Sequence, residues 1–102
     1  MAFVLRRYNE FDKEVKNLLI YKKALFNSNF IRESELLEDI KPLLNTETLW
    51  KPHALLLLGD YFASKGEYLK AREFYIQILS INNLQKDIYD QAISQLAFIT
   101  NE

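Results

Sequence analysis

The chain has no cysteine, so disulfides and thiol chemistry are closed to it, although that absence identifies no compartment. Two glycines and two prolines in 102 residues leave few of the turns that an all-β fold requires. There is one histidine, His53, and its nearest acids in sequence are Glu47 and Asp60, the latter about two helical turns away. A zinc-type site needs more nitrogen or sulfur ligands than this, and no Walker loop, dinucleotide fingerprint or nucleophile elbow is present. No catalytic residue, metal ligand or cofactor is therefore expected, and the chain reads as a non-enzyme. The longest apolar run, residues 54–58, is far too short to span a bilayer, and Arg6-Arg7 follow the opening apolar residues in the wrong order for a signal peptide. On this reading the chain is soluble and inserts into no membrane. Charge is balanced as well. Thirteen bases are interspersed with 14 acids, for a net charge of −1. Nucleic acid is not favoured: Glu10, Asp12 and Glu14 interrupt the basic set Arg6, Arg7, Lys13, Lys16, Lys22 and Lys23.

What is abundant is apolar residue at helical spacing. At 49% hydrophobic content the chain can build a core, and its length fits a single domain over residues 1–102. The clearest stretch is 52–83, which reads as a helical hairpin. Leu55, Leu58 and Phe62 with Leu57 and Tyr61 give the first helix a broad apolar face. Pro52 suits its first turn, and Trp50 can staple back onto Leu55. Gly66 then follows Lys65 as a left-handed C′ residue. A second helix over about 67–80 sets Tyr68, Ala71, Tyr75, Ile78 and Leu79 on one side, with Lys70, Glu73 and Gln77 on the other. Gly59 costs roughly 1 kcal/mol of helix propensity relative to alanine. With Ala71 it marks points where two helix axes approach closely.

Leu55 in the place usually held by Trp, Leu58-Gly59, Phe62, Gly66, Ala71, Tyr75 and Ile78 together resemble the tetratricopeptide repeat, a helix–turn–helix unit of 34 residues. Ile78 replaces a usual alanine, and Asn83 stands where proline often ends the second helix. The resemblance implies an all-α fold of about five helices, stacked as hairpins in an α–α superhelix.

Upstream, residues 2–26 contain no glycine or proline. Val4, Tyr8, Phe11, Val15, Leu18 and Leu25 fall at alternating spacings of four and three, with Lys22 in the gap, which predicts one long helix with a heptad-like seam. The surplus end of this helix either frays or folds back on the domain, or its Val4, Tyr8 and Phe11 meet a second molecule or a missing N-terminal neighbour; the apolar surface favours an interface, and self-association is the simplest form of it. Self-association predicts a homodimer. Asn27-Ser28-Asn29 break the helix. A helix over about 31–44 follows, with Leu36, Leu37, Ile40, Leu43 and Leu44 apolar and Pro42 near its end. Glu33, Glu35, Glu38 and Asp39 favour its N-terminal half. Residues 1–45 thus form a degenerate first hairpin. Ala24, Leu36, Ile40 and Leu43 correspond to Gly59, Ala71, Tyr75 and Ile78 at an offset of 35. The last helix, over about 85–100, offers Ile88, Tyr89, Ala92, Ile93, Leu96 and Ile99 as a C-terminal cap.

By the same resemblance, first helices of successive units line a partner groove. Here that groove comprises Tyr21, Leu25, His53, Leu56, Asp60 and Ser64. A carboxylate clamp would use Lys and Asn where Leu56 and Asp60 stand. The expected partner is instead a hydrophobic polypeptide segment bearing a basic residue. The function implied is a protein–protein interaction scaffold; the alternative is a purely structural or oligomerisation fragment. Over about residues 17–99 the texture of IKPLL, the Trp-Lys-Pro-His-Ala stretch and AREFY also resembles the C-terminal part of bacterial membrane-anchored tetratricopeptide proteins. Those are similar to the ancillary subunit of the Sec translocon, which would place a fragment at the periplasmic face of the inner membrane.

Overall fold

A computed structural model describes residues 2–100, with side chains from Asn9 to Thr100. Among the described residues all regular structure is helical: α1 (Ala2–Asn27), α2 (Glu33–Leu44), α3 (Lys51–Ser64), α4 (Tyr68–Leu79) and α5 (Lys86–Thr100). The chain divides into two compact units, Met1–Lys51 and Pro52–Glu102.

In the first unit α1 packs on α2. α1 stops where Asn27 turns its carbonyl to the N–H groups of Phe30 and Ile31, at 2.8 and 3.2 Å. That bonding ends the helical ladder. α2 buries Leu36, Ile40 and Leu43, a row spaced four and three apart. Pro42 sits in its last turn, where the single backbone bond it removes is near the helix end rather than in the middle. The face of α1 that is buried contains Asn17 and Ala24, with Tyr21 half-buried between them. The heptad-like seam lies on another side and stays open: Phe11, Val15 and Leu25 are exposed. Val4 and Tyr8 lie outside the described side chains.

In the second unit the turn between α3 and α4 follows from one glycine. Gly66 has φ 78, and the pair of bonds Glu67 N–H to Phe62 carbonyl (2.9 Å) and Gly66 N–H to Ala63 carbonyl (3.1 Å) closes a Schellman motif. α3 is buried continuously from Ala54 to Gly59 and again at Tyr61 and Phe62. Gly59 lies under the ring of Tyr75: a Cβ built on it would sit 2.5 Å from Tyr75 Cε1 and 2.9 Å from Cδ1 and Cζ. About one turn further along α3, Phe62 stacks with Phe74 at 5.6 Å and 3°, and the Lys70 ammonium covers Phe62 at 5.2 Å. α4 gives way to α5 through Asn83, whose φ of 58 suits an asparagine in the left-handed region. α5 packs against α4 and buries Ile88, Ala92 and Ile99.

The two units repeat a register. α2 and α4 have 12 residues each and start at 33 and 68 and end at 44 and 79, so both ends are 35 apart. α3 and α5 begin at Lys51 and Lys86, the same interval. Leu36 and Ala71, Ile40 and Tyr75, and Leu43 and Ile78 are fully buried pairs in that register.

Candidate partner-binding surfaces

The six residues expected to line a groove divide between the units. Tyr21 and Leu25 belong to the first. Tyr21 stacks on Trp50, with ring centroids 6.1 Å apart and planes 16° apart, and Leu25 is exposed. His53, Leu56, Asp60 and Ser64 follow one face of α3 at spacings of three, four and four. Along that face His53 and Asp60 are half-buried and Ser64 is exposed. Leu56 departs from expectation, since it is buried and offers no open apolar strip. An all-round apolar helix such as α3 is enclosed rather than displayed. Ser64 turns its hydroxyl back to the Tyr61 carbonyl at 2.6 Å.

Asp60 is the best organised of these side chains. Its Oδ1 accepts from the Tyr75 hydroxyl at 2.5 Å and from the Gln95 amide at 3.2 Å. Burial, reinforced by the hydrogen bond to Asp60 and its charge, pushes the Tyr75 phenol well above the usual range, so the hydroxyl stays a donor at all ordinary pH. An ionised carboxylate can accept about four hydrogen bonds. Both bonds of Asp60 fall on one oxygen, which leaves Oδ2 without a protein partner among the described residues. Asp60 also lines a depression of about 250 Å³ with Asp90, Gln91, Ser94 and Gln95 of α5. Every lining side chain is a hydrogen-bonding group. Asp90 is engaged by the exposed Lys86 ammonium at 2.7 Å, and that bond, with the Asp90 charge, raises the Lys86 value. An opening with one oriented carboxylate, a second acid, two amides and a hydroxyl suits a cationic or multiply hydrogen-bonding group.

The α5 residues of this depression escape the sequence reading. The signal that could find them is the register, since Gln95 lies 35 residues after Asp60. Among the described residues no three His, Cys, Asp or Glu side chains could hold a metal ion, and no helix is long and apolar enough to cross a membrane.

A second polar cluster ties the first unit together. The Glu14 carboxylate accepts from the Thr48 hydroxyl at 2.8 Å, the Leu49 N–H at 2.6 Å and the Asn17 amide at 3.2 Å. The backbone carbonyl of Glu14 takes the Trp50 indole N–H at 3.1 Å, and Lys13 reaches the Glu47 carbonyl at 2.8 Å. Partial burial works to raise the Glu14 value, but the Leu49 N–H, the Thr48 hydroxyl and the Asn17 amide outweigh it, helped by Lys13, and hold the carboxyl below the usual range. This knot pins the 45–50 connection to α1, and its donors are consumed internally. It is structural.

No protein-family model, curated protein or solved structure matches the chain.

Proposed function

We propose that the chain is a non-enzymatic scaffold of the tetratricopeptide type that binds a polypeptide partner, taking a basic side chain of that partner at Asp60. The observation that carries this reading is the Asp60 carboxylate, held by Tyr75 and Gln95 through one oxygen while the other has no partner among the described residues, in a depression lined by α5. A carboxylate fixed in this way loses little side-chain freedom when a guanidinium or ammonium arrives, which favours charge-assisted recognition. The repeat aspect of the proposal is supported by the 35-residue register, by the glycine-closed turn after α3 and by the seating of Tyr75 over Gly59. The buried state of Leu56 moves the expected contact away from an apolar strip and toward the polar opening between α3 and α5.

The test uses labelled amphipathic leucine-rich peptides that differ only at one central residue, arginine or glutamate, with binding followed by fluorescence anisotropy. The arginine peptide should bind the more tightly. Asp60→Asn keeps an acceptor for Tyr75 and Gln95 but removes the charge, and it should weaken the arginine peptide by about tenfold or more, the range of a hydrogen bond to a charged group. Equal binding of both peptides, or an unchanged affinity in Asp60→Asn, refutes the proposal.

A further inference from the structure

Across the helix from its buried positions, α1 carries an apolar face that stays open among the described residues. Phe11, Val15, Leu19, Leu25 and Phe26 are 70%, 38%, 61%, 47% and 77% exposed. Half-buried Leu18 and exposed Lys22 lie among them. At 100° per residue these seven positions fall within an arc of about 120°. The buried positions Asn17 and Ala24 lie across the helix from them. Single exposed apolar side chains are ordinary, but a continuous stripe along four turns of one helix is not.

The charges beside the stripe change sign along it. The charges within about 100° of its centre are Asp12, which also pairs with Lys16 of its own helix at 3.4 Å, and Glu14 toward the N-terminal end, and Lys22 and Lys23 toward the C-terminal end. We propose that this face is covered by α1 of a second copy of the chain, running antiparallel, with the two-fold axis passing between Leu18 and Leu19. That axis sets Phe11 beside Phe26 of the second copy and Leu18 beside Leu19. It also puts Asp12 within one helical turn of Lys22 and Lys23 of the second copy, twice by symmetry. A parallel pair would instead set acid against acid and base against base. Taking 150–250 Å² for a fully buried aromatic and correspondingly less for Leu and Val, the open part of the stripe amounts to roughly 500 Å² on each copy. Two copies thus reach about 1,000 Å², the lower bound for a specific interface, which places the dimer at the weak, concentration-dependent end. This inference concerns the first unit alone and does not rest on the Asp60 reading, which belongs to the second.

Sedimentation equilibrium of the whole chain over a wide range of micromolar concentrations tests it. Wild type should shift from monomer toward dimer as concentration rises, and Phe11→Ser or Phe26→Ser should weaken the association by tenfold or more. Asp12→Lys and Lys23→Asp should each weaken it by roughly tenfold, as two exposed ion pairs turn repulsive, and the double variant should restore it. Because Asp12 and Lys23 are exposed, far-UV circular dichroism should be unchanged throughout. A wild type that stays monomeric at the highest concentration overturns the self-pairing, leaving the face to a different polypeptide. A dimer that the charge exchange fails to restore overturns the antiparallel arrangement.

Discussion

Replacing Gly59 by alanine pits two effects of opposite sign against each other in one residue. In a helix interior, alanine is favoured over glycine by about 1 kcal/mol, so propensity alone predicts a more stable protein. Packing predicts the reverse. The new Cβ would stand 2.5 Å from Tyr75 Cε1, and the obstructing atom is part of a rigid ring that is fully buried and anchored at its far end by Asp60. Forcing an extra carbon into a filled site costs about 1–3 kcal/mol, and a ring displaced far enough to relieve it surrenders a hydrogen bond to a charged group, worth about 1.5–3 kcal/mol. After subtracting the propensity gain, Gly59→Ala should destabilise the chain by about 1.5–5 kcal/mol. Urea denaturation followed by circular dichroism measures this directly. Combining it with Tyr75→Leu, which removes the ring, should recover at least about 1 kcal/mol of the summed single effects, the coupling expected of residues in contact. A Gly59→Ala chain as stable as wild type or more stable would refute the close approach of α3 and α4 at this point.

Gly66→Ala meets no neighbouring atom but must adopt φ 78, so it should cost about 1–2 kcal/mol through the backbone alone, with Gly66→Asn costing less; the same urea titrations decide it. Glu14 has a folded-state value below its ordinary 4.5, so its contribution to stability is present above that value and is lost as pH falls through the lower folded one. Glu14→Gln should therefore cost about 1–2 kcal/mol at pH 7 and lose less than wild type on going to pH 3, read from denaturation midpoints at the two pH values; a parallel loss in both proteins would contradict the assignment.

Much of the architecture is legible in the chain because short-range chemistry dictates it. Asn27-Ser28-Asn29 end α1, Gly66 ends α3, and apolar spacings of three and four mark all five helices, whose observed bounds lie within about two residues of expectation. The 35-residue offset between the second helices of the two hairpins is equally legible, because apolar residues recur at it: Leu36 and Ala71, Ile40 and Tyr75, Leu43 and Ile78. The choice of face on α1 is not. Heptad spacing picks out Phe11, Val15 and Leu25, yet the positions α1 buries are Asn17 and Ala24, a polar and a small residue that a pattern of large apolar side chains does not mark. Leu56 reads as groove-lining from its helical position alone, whereas burial depends on what encloses α3 on every side. Nor does any local signal announce the Glu14 knot or the polar side of α5. Glu14 meets Thr48 and Leu49 across 34 and 35 residues, so the contact exists only once the connection between α2 and α3 has taken its path.

The claim on which the functional account turns is that Asp60 presents a fixed, available carboxylate oxygen to a cationic partner group. Titrating isotopically labelled protein with the arginine peptide and following backbone amide shifts locates the contact residue by residue. The account predicts saturable shifts at Asp60, Gln91, Ser94 and Gln95 that are absent with the glutamate peptide and in Asp60→Asn. Shifts that never saturate, or that map to α1 and α2 while the α3–α5 opening stays unchanged, would contradict it.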